Sequence, residues 1–145
     1  MGHMNDIELP EDAVRIVEHT ADWALRVRGP DLPGLFGRAA VGMAQLLAGD
    51  LAAVPLEEAR ELALAADDAE SLLVEFLGEL AYWAERDGLV CSVVELHDLT
   101  PEALRATTRG GRLPELQKHI KAVTYHELAI RPYDGGLEVT IVFDV

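Results

Sequence analysis

An α+β fold is predicted: a single domain with a largely antiparallel sheet and two main helices packed on it. Three observations predict it. Short segments at both ends of the chain alternate apolar and polar residues, the period of a strand with one buried face. Two central segments instead repeat apolar residues every three or four positions, as a helix with one buried stripe does. Glycine, proline and aspartate punctuate the boundaries, and strands that return through short turns pack with helices in this way. At 145 residues and 15.8 kDa the chain suits one domain with a sizeable core.

Residues 1–12 are polar and are expected to be disordered, leaving 13–145 as the domain. Met1-Gly2-His3-Met4 reads as a cloning remnant, not a targeting segment. Val14–Glu18 and Trp23–Arg28 both alternate, with His19-Thr20-Ala21-Asp22 as the turn between them. Asp31 is placed to cap a helix, Pro33 is tolerated in its first turn, and Gly49 stops it. Between them Leu32, Leu35, Phe36, Ala39, Ala40, Met43, Leu46 and Leu47 form a core stripe. Leu51–Leu56 is a connector and Glu57–Ala66 a strand. Asp67 and Glu70 have the spacing of a capping box for a second helix. Its stripe is Leu72, Leu73, Phe76, Leu77, Leu80, Ala81 and Ala84, ending before Gly88. Leu89–Leu96 lacks clean alternation and is read as a strand buried on both faces. Ala103–Arg109 is a further strand closed by Gly110-Gly111.

The chain is organised around its last nine residues. Leu137, Val139, Ile141, Phe143 and Val145 alternate with Glu138, Thr140, Val142 and Asp144. Ile120–Arg131 precedes them, rich in β-branched and aromatic residues, and Asp134-Gly135 supplies a hairpin signal. A two-residue loop there sets Ile130 opposite Val139, Leu128 opposite Ile141, His126 opposite Phe143 and Tyr125 opposite Asp144. Lys121, further along the same strand, then falls on the face of Asp144; a three-residue loop would reverse that face.

The net charge of −14 argues against a surface that binds nucleic acid as a whole. Yet 101–131 holds Arg105, Arg109, Arg112, Lys118, Lys121 and Arg131 against Glu102, Glu115 and Glu127. That stretch is either a solvated strand pair or a patch for a partner or RNA. No apolar run approaches the roughly 18 residues of a membrane span. The one cysteine, Cys91, lies in an apolar run, excludes an intrachain disulfide and reads as a small buried hydrophobe. With no secretory signal, a reducing cytoplasm is the expected compartment.

No GxSxG elbow, P-loop, GxGxxG or HExxH is present. The histidines lack the paired spacings of a zinc site. What remains is oxygen-ligand chemistry. Asp22 sits in the turn after the first strand, and Asp144 and the carboxylate of Val145 sit at the other end of the chain. If the first and last strands meet, these carboxylates converge, and like charges in one pocket call for a cation. All-oxygen ligation selects Ca²⁺, Mg²⁺ or Mn²⁺. The plainer alternative has Asp22 bonding its own turn and Asp144 pointing to water.

Glu18-His19-Thr20-Ala21-Asp22, Asp31–Ala40, Leu72–Leu80 with Gly88-Leu89-Val90, Ile120-Lys121-Ala122-Val123-Thr124-Tyr125-His126, and terminal Phe143-Asp144-Val145 together resemble the archease family. The resemblance runs from about Val14 to Val145. It implies a small acidic α+β protein without catalytic activity of its own. Such a protein serves as accessory factor to the GTP-dependent RNA ligase of the RtcB type in tRNA splicing and RNA repair. It promotes guanylylation and turnover of that ligase and meets RNA only through it. Asp22 matches the aspartate of the HTAD motif, a metal ligand. Asp144 matches the penultimate acidic ligand, and the Val145 carboxylate completes a site for a divalent cation, calcium first among the candidates. Lys121 matches a functional lysine that contacts a phosphate or the ligase. Leu32-Pro33-Gly34, where the family commonly has charged residues, departs from the pattern. A metal-dependent phosphoesterase and a chaperone-like binding module are the competing readings.

Overall fold

The first two strands, β1 (Val14–Glu18) and β2 (Asp22–Gly29), pair antiparallel with Val14 opposite Val27 and Glu18 opposite Trp23. The computed structural model describes residues 13–18 and 22–145, the side chains of Val17 and Glu18 excepted. The expected disorder of 1–12 and the expected turn at His19-Thr20-Ala21 lie outside the described residues.

Helix α1 (Leu32–Ala48) starts where expected: the Asp31 carboxylate accepts the Gly34 N–H at 2.8 Å, with Pro33 in the first turn. It ends at Gly49, whose φ of 79° is a conformation that favours glycine. A single 3₁₀ turn (Leu51–Ala53) leads to β3 (Glu58–Ala65). Helix α2 (Ala69–Asp87) follows, then β4 (Leu89–Thr100), β5 (Ala103–Arg112), β6 (Ala122–Thr124), β7 (Arg131–Tyr133) and β8 (Gly136–Asp144). All pairings are antiparallel, but the strands divide into two sheets instead of one. One has the order β1-β2-β8-β6 with β7 also on β8; the other is β3-β5-β4. The two helices pack on each other and on both sheets, and the Phe36 and Phe76 rings stack at 5.9 Å between them. Leu25, Val27, Val139, Ile141 and Phe143 give that core the inner faces of β2 and β8. No described helix is long and apolar enough to cross a membrane.

Three local expectations are corrected. The cap of α2 is Asp68, not Asp67; its carboxylate accepts the Ser71 N–H at 2.7 Å. Glu70 instead reaches out of the helix to accept the Ile130 N–H at 3.1 Å. Second, Gly110-Gly111 does not close β5 but lies inside it, where β5 continues to pair with β4 as far as Leu89 opposite Arg112. Glycine serves there because other backbone approaches too closely for a Cβ.

The third correction concerns the final hairpin. Its turn is the expected two-residue loop, Asp134 at φ 47° and Gly135 at φ 80°, the primed geometry that matches strand twist. Tyr133 pairs with Gly136 and Arg131 with Glu138, the register expected near the loop. Farther on, Ala122, Val123 and Thr124 lie opposite Asp144, Phe143 and Val142. The expected pairs Leu128–Ile141, His126–Phe143 and Tyr125–Asp144 do not form. A turn with Glu127 at φ 50° and a Leu128 N–H to Tyr125 carbonyl bond of 3.1 Å absorbs the slip. Val123, not His126, therefore faces Phe143, which keeps an imidazole off the inner face. Glu70→Ala should leave the Ile130 N–H without its acceptor and cost about 1 kcal/mol. Hydrogen exchange at Ile130 and Leu128 should quicken while α2 stays protected; unchanged exchange would show that Glu70 does not hold the turn.

Candidate metal centre

Asp22 is the first residue of β2 and Asp144 the last of β8, and the antiparallel register sets them directly opposite one another. Directly opposed residues have Cβ atoms about 4.5–5.5 Å apart on one face of a sheet. That face is the outer one, because Trp23 and Phe143, the next pair along, belong to the core side. A third strand end joins them: Ala122 lies opposite Asp144, and the Lys121 N–H donates to the Asp144 carbonyl at 2.7 Å. The side chain of Val145 is partly buried against the core, which ties down the residue after Asp144. The three carboxylates singled out in the sequence thus belong to one sheet corner.

The electrostatics of that corner fit a cation. Asp22 is half-buried, and its Oδ1 is fully enclosed with no hydrogen-bond partner. A buried polar atom left unpaired costs about 1–3 kcal/mol, and a carboxylate directly across the strand pair adds repulsion. A divalent ion between Asp22 and Asp144 would relieve both. The donors are all oxygen, which suits Ca²⁺, Mg²⁺ or Mn²⁺ over softer metals. Among the described residues no three His, Cys, Asp or Glu side chains cluster as a metal site. A third protein ligand would therefore be of another kind, the Val145 carboxylate or a backbone carbonyl.

Lys121 is exposed at this corner, but not by the expected route. The residue opposite Asp144 is Ala122, so strand alternation no longer assigns Lys121 to the Asp144 face; its link to Asp144 is through the main chain. The other lysine was not singled out as a site residue: Lys118 Nζ sits 3.9 Å from the centroid of the Trp23 ring, beside Asp22. Only the basic bias of 101–131 hinted at it, since the contact joins distant parts of the chain. Within that stretch Arg105 pairs with Asp98 at 2.9 Å and Arg112 with Glu58 at 3.0 Å, as a solvated sheet surface would. Arg112 and Arg60 beside Glu58 hold its carboxyl below the ordinary range, and Arg86 holds Asp87 down to about 2. Cys91 is buried with its thiol on the Thr108 hydroxyl at 3.5 Å, and burial pushes the thiol up, away from nucleophilic use.

Comparison with known proteins places this corner in context. The model of the Archease protein family (MTH1598/TM1083) matches residues 15–145. Protein archease of Methanosarcina acetivorans is 34% identical over 137 residues, covering 89% of this chain and 93% of that protein. Its counterpart in Methanopyrus kandleri is also 34% identical, covering 89% and 96%. The solution structure of Methanobacterium thermoautotrophicum protein 1598 superposes with a TM-score of 0.73 at 25% identity, over 92% of this chain and 99% of that one. A crystal structure of an archease from Thermotoga maritima, described as a possible chaperone, shares the fold with a TM-score of 0.61 at 22% identity, over 89% and 94%. Family model, relatives and fold agree across almost the whole described chain, and the chain belongs to the archease family.

Proposed function

We propose that the protein is a non-enzymatic accessory factor that activates a GTP-dependent RNA ligase of the RtcB type, in tRNA splicing or RNA repair. The supporting observation is the opposed Asp22–Asp144 pair with its enclosed, unpartnered Asp22 Oδ1. In this reading Asp22, Asp144 and the Val145 carboxylate hold one divalent cation, calcium first, with magnesium or manganese as alternatives. A bound divalent ion would offset most of the negative charge of these three carboxylates and could take further oxygen ligands from the partner. Lys121 adds an exposed ammonium at the same sheet end, suited to a phosphate or a carboxylate of the ligase.

The direct test is guanylylation of a purified RtcB-type ligase with and without this protein. Faster guanylylation and repeated turnover are expected; a ligase indifferent to the protein would overturn the reading. Lys121→Ala should melt like the parent, because an exposed lysine contributes little packing, yet activate the ligase at least about tenfold less, the loss expected for one charge-assisted contact. Full activation by a folded Lys121→Ala variant would remove this residue from the docking surface. The description of the Thermotoga maritima protein as a possible chaperone favours a second reading, a chaperone-like binding module. That reading expects suppression of client aggregation whether or not Asp22 and Asp144 are intact.

A further inference from the structure

The eight-residue β3 is an outermost strand of its sheet: β5 pairs with one side of it, and no described strand pairs with the other. The ladder defines which groups the open side presents. Ala66, one step past the end of β3, donates its N–H to the Glu102 carbonyl at 2.9 Å. That bond continues the register in which Ala65 lies opposite Ala103. Bonded and non-bonded pairs alternate along an antiparallel ladder, so Glu58, Arg60, Leu62 and Leu64 direct their main-chain groups to β5. Ala59, Glu61, Ala63 and Ala65 turn theirs outward.

The other edges are protected and this one is not. Two register shifts bend β4, β1 has five residues, and β6 and β7 have three each. Bulges and shortness are what keep edge strands from pairing with a neighbour. No proline or register shift interrupts β3. Its inner charges are already paired: Arg60 with Glu58 at 2.8 Å and Asp87 at 3.1 Å, and Glu58 with Arg112 at 3.0 Å. Leu56, just before β3, and Tyr82 on α2 are large exposed hydrophobics. Tyr82 is tied to this strand through Arg86, Asp87 and Arg60.

The edge is also complementary to itself. Set antiparallel against a second β3 about Leu62, its outward-bonding residues match, Ala59 with Ala65 and Glu61 with Ala63. Leu62 meets Leu62 on the axis, and Arg60 falls opposite Leu64. Glu61, the one charge on β3 with no ion pair among the described residues, then faces a small side chain, beyond which lies Arg105 on β5. Centring the pair on Arg60 or Glu61 would instead set like charges directly opposite each other, which is destabilising.

We propose that β3 pairs with β3 of a second copy of this chain, antiparallel and two-fold about Leu62, so that two three-stranded sheets become one. A contact of this kind uses the same patch on both copies and stops at a dimer. The Asp22–Asp144 corner belongs to the other sheet, so the pairing does not depend on an ion there.

Sedimentation equilibrium in EDTA, from micromolar to millimolar protein, tests the proposal in salt sufficient to screen the net charge of −14. A reversible monomer–dimer equilibrium is expected. Ala63→Pro removes an N–H that β5 does not use, a change that an edge strand tolerates. The variant should melt like the parent yet associate at least about tenfold more weakly, because the two-fold axis deletes the bond twice. In the parent, amide exchange at Ala59, Glu61, Ala63 and Ala65 should slow as concentration rises, while Arg60, Leu62 and Leu64 are protected throughout. That measurement decides the matter even if the proline variant misfolds. A chain still monomeric at millimolar concentration, a folded Ala63→Pro protein that dimerises like the parent, or a dimer whose slowed amides lie on another strand would each overturn the proposal.

Discussion

Gly110→Ala should lower stability by at least about 3 kcal/mol, the upper range of overpacking in a rigid interior, and lower the melting temperature by roughly 10 °C. Gly110 lies in β5, the central strand of its sheet, with Glu58 on one side and Cys91 on the other. The register between β4 and β5 shifts between Cys91 and Val93, so a bulge pushes β4 backbone toward Gly110. A Cβ there would collide with the Val90 carbonyl and stand 2.8 Å from the Cys91 Cα. Those atoms are backbone and no rotamer relieves them, so the strands must part and give up ladder bonds. Gly78→Ala is the control: nothing lies within 4 Å of its Cβ position, inside α2. That change should stabilise by about 0.5–1 kcal/mol through helix propensity alone. Calorimetric melts of both variants decide the matter, and a Gly110→Ala protein that melts with the parent would show that the bulge can relax.

Gly110 also illustrates which parts of the fold were legible in the amino-acid order. A Gly-Gly pair reads locally as a strand end, and only the bulge in β4, a neighbour in space, makes it a strand interior. The helices were legible because their signals are local: Asp31 and Gly49 at the ends of α1, and apolar spacing between them. The Asp134-Gly135 loop was legible for the same reason. The slip at 125–130 was not, since it depends on Glu70 reaching Ile130 from another element and on Glu127 adopting a positive φ. At the candidate metal centre, strand alternation and the family resemblance singled out Asp22 and Asp144. That they lie opposite one another follows from β2 and β8 being neighbours, a pairing of the chain's first and last thirds.

Asp22→Asn should abolish the response to divalent cations while leaving the metal-free protein as stable as the parent or slightly more so. In EDTA the parent holds two carboxylates across one strand pair, and removing one charge relieves repulsion. With an ion at a hundred times its dissociation constant, the parent should gain about 2.7 kcal/mol. For a domain of this size that is roughly 5–10 °C in melting temperature. The variant should gain almost nothing, because a neutral amide replaces the enclosed Oδ1 that most needs the cation. Asp144→Asn should behave likewise. Appending Gly-Gly to Val145 turns its carboxylate into a peptide carbonyl with every side chain kept, so it should lose a large part of the response and show whether that carboxylate is a ligand. Asp98→Asn, a carboxylate paired with Arg105 on the other sheet, should keep the full response. Melts with and without Ca²⁺, Mg²⁺ and Mn²⁺ distinguish the outcomes. An Asp22→Asn protein that still gains as much as the parent would mean that the corner repels its charges without binding an ion, and the proposed centre would fall.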